Sequence, residues 1–134
     1  MSLQDNKAVI RRLYDAFSAG DLRAMDESLA ATVVDLFPFE GQAPGVEGFK
    51  ERLTGLRKSF PDLSFTIETM IAEGNMVAER ATLRGTHLGK FMGIPATGKP
   101  VAGNMMGFNK LADGKVIERG RIINVFGMTR QIQS

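Results

Sequence analysis

In the first part of the chain, apolar side chains recur every three or four residues, which is the period of an α-helix. Val9, Leu13 and Phe17 give the opening segment one apolar face, and charged residues occupy the opposite face. Gly20 predicts the end of this helix, because glycine adopts the left-handed cap conformation without steric cost. A short second helix is predicted directly afterwards, with Asp21 as its N-cap.

A strand and a third helix are predicted next. Residues 32–39 indicate a strand, and a connection rich in glycine and proline follows at residues 41–48. Apolar residues then recur at helical spacing from Phe49 to Phe60. Pro61 predicts the end of this helix, because the residue before a proline disfavours the helical conformation.

In the second half of the chain the apolar period changes to two. Alternating apolar and polar side chains over residues 63–71 predict a half-buried strand. Three more strands are predicted at residues 76–87, 101–111 and 116–125. Helices followed by an antiparallel meander predict one α+β domain over residues 1–134, with a layer of helices packed on one sheet.

Composition and charge exclude several classes of protein. Of the 134 residues, 43% are hydrophobic and 24% charged, as in soluble folded domains, and no apolar run reaches the roughly 18 residues of a membrane span. Seventeen basic and 15 acidic residues are spread along the chain, so no cationic patch predicts nucleic-acid binding. With no cysteine and one histidine, neither a disulfide nor a metal site is expected. A cytoplasmic location is the default expectation.

The segment from His87 to Pro100 interrupts the strand pattern. It contains several glycines and prolines and is too long for a simple hairpin turn. Loops of this kind usually cover the mouth of a cavity or form an interface between subunits.

This loop also carries the most specific motif. Residues 85–101, GTHLGKFMGIPATGKPV, resemble the GTHxGxFxGIPxTG signature of the SnoaL-like polyketide cyclases, also called ester cyclases. Residues 6–22, 60–68 and 111–118 resemble the same family. The resemblance implies a nuclear transport factor 2-like cone, in which helices and a curved antiparallel sheet enclose a pocket for a small apolar molecule. It also implies a homodimer or higher homo-oligomer and chemistry that needs no cofactor or metal.

Enzymes of this family close a ring in a polyketide ester by an intramolecular aldol reaction. A carboxylate or histidine in a dry pocket can perform the required proton transfers. The resemblance places this role on an Asp in a segment similar to EHWDVVD, where residues 118–124 are ERGRIIN. Asn124 matches the catalytic Asp, and an amide cannot take up a proton at neutral pH. The sequence therefore predicts an atypical site in which Asn124 orients substrate, or else satisfies backbone groups at a bulge.

Two other side chains are candidates for the proton transfer. Glu79 lies on the more apolar face of its predicted strand. It is a general acid/base with a pKa raised by burial, the partner of a nearby arginine, or a residue on a face that meets solvent or another subunit. His87 is either a proton carrier or a structural residue that ties down the loop, and we favour the structural role.

Eight further residues are predicted to contact substrate. Ala81 and Gly120 occupy positions where the family often has tryptophan, which predicts a wider cavity. The remaining candidates are aromatic, polar or flexible apolar side chains at expected lining positions: Tyr14, Asp35, Phe37, Met92, Asn104 and Met106.

Two functions are consistent with this sequence. The first is a SnoaL-like cyclase or isomerase that acts on an apolar, carbonyl-containing substrate by cofactor-free acid/base chemistry. The second is a non-catalytic binding or dimerisation module of the same fold.

Overall fold

The computed structural model describes residues 1–134 and contains four helices and five strands. The helices are α1 (Leu3–Ala19), α2 (Leu22–Ser28), α3 (Val46–Ser59) and α4 (Val125–Gln133). The strands are β1 (Leu29–Asp35), β2 (Ser64–Glu73), β3 (Met76–Thr86), β4 (Pro100–Ala112) and β5 (Lys115–Ile123). None of the four helices is both long enough and apolar enough to cross a membrane.

The first two helices begin and end where local side chains satisfy their backbone groups. The Ser2 hydroxyl accepts a hydrogen bond from the Asp5 N–H, and the Asp5 carboxylate accepts one from the Ser2 N–H, which is a capping box. Gly20 ends α1 in the left-handed conformation with φ 67°, and Asp21 caps α2 through the Ala24 N–H. Both boundaries confirm the predictions from the sequence.

The five strands form one mixed sheet in the order β1-β5-β4-β3-β2. Strands β2 to β5 form the predicted antiparallel meander. Strand β1 pairs with β5 in parallel, which differs from the expected all-antiparallel sheet. A parallel neighbour requires a long crossover connection, and here α3 and the whole meander supply it.

One face of the sheet packs against the helices and the other is exposed. Burial alternates at every residue along β4, as expected for a strand with one buried face. The core consists of 24 buried apolar side chains. This arrangement confirms the predicted α+β fold, with the helices on one face of the sheet.

Helix α4 was not predicted, because the sequence pattern extended the last strand past Ile123. The strand instead stops there, and Asn124 begins α4 by accepting a hydrogen bond from the Gly127 N–H. Met128 and Ile132 are buried against the core. The available signal was an Asn N-cap followed by apolar residues at helical spacing.

The loop between β3 and β4 is held against the end of α3. The Leu88 and Gly89 N–H groups both donate to the Ser59 carbonyl, and a short bridge pairs Phe91 with Ile94. A Cβ at Gly89 would overlap the neighbouring backbone carbonyl. The motif glycine is therefore required by close backbone approach.

Candidate active site

A cavity of about 680 Å³ lies between the helices and the inner face of the sheet. This volume falls within the range of small-molecule sites. Fourteen of its 23 lining residues are hydrophobic, so the cavity suits a mostly apolar molecule. The aromatic part of the wall comes from Phe17, Phe37, Phe39, Phe49, Phe65 and Phe91.

A buried network of four polar side chains lies behind one part of this wall. Arg119 is fully buried and lines the cavity. Its Nη1 lies 3.1 and 3.2 Å from the two carboxylate oxygens of Glu79 and 2.7 Å from Asn109 Oδ1. Its Nη2 donates to the Tyr14 hydroxyl at 3.2 Å, and that hydroxyl donates to Glu79 Oε2 at 3.0 Å. Together these bonds fix the orientation of the Arg119 guanidinium.

The network keeps Arg119 charged despite its burial. Burial by itself would lower the pKa of Arg119, but Tyr14 and Glu79 raise it on balance. Burial raises the pKa of Tyr14 to about 12, so its hydroxyl stays protonated. A side chain at Gly107 would overlap Glu79 Oε2, so the strand opposite the ion pair needs a glycine there. The absence of a side chain at Gly107 therefore provides the space that the Glu79 carboxylate of the ion pair occupies.

A second charged cluster lies next to the first along β5. Asp35 Oδ2 accepts hydrogen bonds from Arg121 Nη1 at 2.8 Å, Arg52 Nη1 at 3.1 Å and Gln42 Nε2 at 2.9 Å. Burial would raise the pKa of Asp35, but the hydrogen bonds from Gln42 and Arg121 lower it to about 2. Burial, followed by the charges of Arg119 and Arg52, lowers the pKa of Arg121 to about 10.

Aromatic rings hold the two partners of Asp35 against the cavity wall. The Arg121 guanidinium carbon lies 4.7 Å from the centre of the Phe49 ring. The Arg52 guanidinium carbon lies 4.1 Å from the centre of the Phe39 ring. Both distances fall within the range of cation–π contacts, so both arginines are oriented by rings that also line the cavity.

Five predicted site residues lie at the cavity wall or directly behind it, in two groups. Phe37 and Met92 line the cavity and are 52% and 66% exposed, so they lie at its mouth. Tyr14 and Glu79 lie behind the wall, where the structure brings them together around Arg119. Asp35 holds Arg121 in the same way. The remaining candidate from the inner face, Ala81, is buried in the apolar core and does not line the cavity.

Four further predicted site residues do not lie on the inner face of the sheet, so the expected contact of these residues with a substrate in the cavity has no support in the structure. Asn124 is exposed and caps α4, because the strand ends one residue earlier. Asn104 and Met106 lie on the exposed face of β4, since residues of that parity point away from the helices. Gly120 has the same outward parity and is covered by Phe37, so it does not widen the cavity.

The segment that was expected to supply the catalytic Asp supplies two arginines instead. In the alignment with EHWDVVD, the His and the first Asp correspond to Arg119 and Arg121, and both line the cavity. Neither arginine was predicted as a site residue from the sequence. Their spacing of two along a strand was the available signal, because such residues share a face.

His87 ties the loop between β3 and β4 to the end of its strand. Its Nδ1 accepts a hydrogen bond from the Thr97 N–H at 3.2 Å and lies 2.9 Å from the Thr97 hydroxyl. Its backbone carbonyl accepts from the Gly98 N–H. The ring is fully buried and has no surface on the cavity. These contacts match the structural alternative that the sequence favoured.

Comparisons with known proteins agree with this architecture. The family model described as SnoaL-like polyketide cyclase matches residues 7–132. The aklanonic acid methyl ester cyclase of Streptomyces peucetius is 25% identical over 92% of this chain and 88% of its own length. The crystal structure of wild-type IdmH from Streptomyces antibioticus is 30% identical, covers 96% of this chain and 99% of its own, and superposes with a TM-score of 0.88.

A further structural neighbour supports the fold alone. TsrD from Streptomyces laurentii superposes with a TM-score of 0.89, covering 98% of this chain and 97% of its own, at 23% identity. The family match spans both charged clusters and the loop between β3 and β4. The chain therefore belongs to the SnoaL-like polyketide cyclase family.

Proposed function

We propose that the protein binds an apolar, carbonyl-containing molecule of polyketide type and enolises it without a cofactor, closing or isomerising a ring. The observation that carries this proposal is an apolar cavity whose wall contains two almost fully buried guanidinium groups, those of Arg119 and Arg121. Two curated relatives named as aklanonic acid methyl ester cyclases support the reaction class.

The arginines are suited to stabilising an enolate oxygen. When a C–H bond next to a carbonyl breaks, its electron pair moves to the carbonyl oxygen, which gains negative charge. Fixed donors in a site that excludes water stabilise such an oxyanion strongly. A guanidinium cannot be deprotonated under these conditions, so Arg119 and Arg121 act as donors and not as the base.

We assign the proton transfer to Asp35 and a positioning role to Glu79. The Asp35 side chain is 6% exposed, whereas the Glu79 side chain is 0% exposed and is enclosed by Tyr14, Asn109 and Arg119. Arg121 lowers the pKa of Asp35 in the free protein. Asp35 is not itself part of the cavity lining, so this role requires a substrate oxyanion to draw Arg121 away from it. That movement both opens the Asp35 carboxylate to the substrate and raises its pKa toward a value useful for a base.

The test is deuterium exchange next to the carbonyl of aklanonic acid methyl ester, followed together with ring closure by NMR in D2O. Asp35→Asn is expected to reduce the rate by a factor on the order of 100 or more. Asp15→Asn, on the exposed face of α1, is the matched control and should retain the full rate. An Asp35→Asn variant as active as the native protein would exclude Asp35 as the proton carrier.

A non-catalytic binding module is the second candidate. It is favoured by the pairing of both carboxylates next to the cavity wall with arginines, since neither is free to accept a proton in the empty cavity. The same assay separates the two functions. Saturable binding of polyketide ketones without any deuterium exchange would support the binding module.

We also propose that a second copy of the chain packs on the outer face of the sheet. Ile71, Met106 and Phe108 lie on this face and are between 60% and 66% exposed, which is unusual for adjacent apolar side chains on a monomer. Phe108→Glu should convert a dimer to a monomer in light scattering, whereas Arg12→Glu, on the exposed face of α1, should not. A native protein that is monomeric at micromolar concentration would refute this proposal. The cytoplasmic location stays a prediction.

A further inference from the structure

The buried part of the cavity wall carries more positive than negative charge. Its three guanidinium groups are those of Arg52, Arg119 and Arg121, with side chains that are 16%, 0% and 8% exposed. Only two carboxylates, those of Asp35 and Glu79, pair with them. The other acidic residues of the lining, Glu40 and Glu51, are exposed and form no ion pair.

The excess charge is concentrated at Arg121. Asp35 is shared between Arg52 and Arg121, and Glu79 is bonded only to Arg119 among the three arginines. A cation that is removed from water without a full counter-charge is unfavourable. Burial and the two neighbouring arginines accordingly lower the pKa of Arg121. An anion bound in the cavity would relieve this imbalance.

Arg119 also has an unused donor at the same wall. Its Nη1 and Nη2 are bonded within the network, but its Nε is buried without any hydrogen-bond partner. An unpaired buried donor on a charged group is costly, and such groups in native proteins usually have a partner. Arg119 lines the cavity, but its Nε has no accessible surface, so a ligand oxygen can satisfy this N–H only if a side-chain movement opens the Nε to the cavity.

We propose that the natural ligand is a carboxylic acid whose carboxylate binds between Arg119 and Arg121. The two residues lie two apart on one strand and share a face, with Cα atoms about 7 Å apart, so one carboxylate can lie between the two side chains. An ester offers a carbonyl acceptor but no charge, so it leaves the imbalance in place. The proposal distinguishes this chain from the relatives whose names specify a methyl ester. It rests on the proposed function in taking the cavity as the substrate site, and it gives the two guanidinium groups a ligand carboxylate to bind in addition to the enolate oxygen assigned above.

The test compares anthraquinone-2-carboxylate with its methyl ester by isothermal titration calorimetry at pH 7.5. The two probes share the ring system and differ in charge. The carboxylate is expected to bind the native protein about tenfold or more tightly than the ester, which is the scale of one charge-assisted hydrogen bond. Equal affinities, tighter binding of the ester, or no saturable binding of either probe would overturn the proposal.

Variants then identify the side chain that recognises the charge. Arg121→Met should weaken carboxylate binding about tenfold more than ester binding, whereas Arg84→Met on the exposed face of β3 should change neither. Equal losses for both probes would show that Arg121 only shapes the cavity, and would overturn the assignment. The comparison on the native protein remains decisive if Arg121→Met does not fold.

The outcomes separate this inference from the proposed function. Preference for the carboxylate without deuterium exchange would reject the catalytic proposal and leave the inference standing. Deuterium exchange in the methyl ester without any preference for the carboxylate would do the reverse.

Discussion

The buried ion pair between Glu79 and Arg119 makes a strong prediction about stability. Both side chains are 0% exposed, and Arg119 Nη1 lies within 3.2 Å of both Glu79 oxygens. Glu79→Gln removes the negative charge but nearly preserves the volume of the side chain. It leaves the Arg119 guanidinium buried without a counter-charge, so its main effect is electrostatic.

The expected loss is large on the scale of single substitutions. Breaking a buried ion pair by removing one partner costs about 3–5 kcal/mol, a large part of the roughly 5–15 kcal/mol that stabilises a typical domain. For a chain of this size, that corresponds to a fall in Tm of roughly 10–20 °C. Urea unfolding followed by circular dichroism measures the free energy of unfolding directly.

Two further variants test the physical reason. Glu79→Leu combined with Arg119→Met replaces the pair by apolar side chains, and this double variant should be markedly more stable than Glu79→Gln. Asp26→Asn removes the carboxylate from the surface pair with Lys50, where Asp26 is 51% exposed, and should cost less than about 1 kcal/mol. A Glu79→Gln variant no less stable than Asp26→Asn would refute the account of a dry ion pair behind the cavity wall.

Three other predictions follow from the packing and the charges. Gly107→Ala should destabilise the protein by about 2 kcal/mol or more in urea unfolding, because the added Cβ would overlap Glu79. Gly55→Ala in α3, where the added Cβ meets no atom within 4 Å, should leave the stability unchanged or raise it. A Gly107→Ala variant that is more stable than Gly55→Ala would contradict the packing. His87→Ala should increase hydrogen exchange in residues 88–99, since Thr97 and Phe60 lose their contacts with the imidazole, and unchanged protection would show that the ring does not hold the loop. The pKa of Asp35 is lowered to about 2 in the folded protein, so the ionised carboxylate stabilises the fold fully above its unfolded pKa near 4, and this stabilisation is lost as the pH falls from about 4 to 2. The difference in Tm between the native protein and Asp35→Asn should therefore shrink over that pH window. A constant difference would exclude the assigned ionisation.

Most helices and strands could be predicted from the sequence, because the spacing of apolar residues within each one depends only on that helix or strand. The helical period in α1 and α3 and the period of two in the meander reflect which face of each element is buried. The parallel pairing of β1 could not be predicted in this way, because it depends on where the chain returns after the meander. Helix α4 was missed because Gly127 and the β-branched Val125 weaken its helical signal.

The candidate site was only partly predictable, because it depends on strand register. Glu79 lies opposite Gly107 on β4, and Arg119 lies opposite Asn109 on the same strand. The ion pair therefore spans three strands and 40 residues of sequence, which no local pattern reveals. The alternation of side chains along β3 placed Glu79 on the inward face, but the alternation along β5 was not used to place Arg119. Asn124 was misplaced because the motif was aligned without knowing where β5 ends.

We propose above that the Arg119 and Arg121 guanidinium groups bind a ligand oxygen inside the cavity. The most direct measurement is the ¹H–¹⁵N NMR signal of the Arg119 Nε–H during titration with anthraquinone-2-carboxylate, with the signal assigned from an Arg119→Lys sample. We expect the Arg119 and Arg121 signals to shift together and to saturate. The ligand concentration at half the maximal shift should equal the one that gives half-maximal binding by calorimetry. Saturable binding that leaves both arginine signals unmoved would contradict the account.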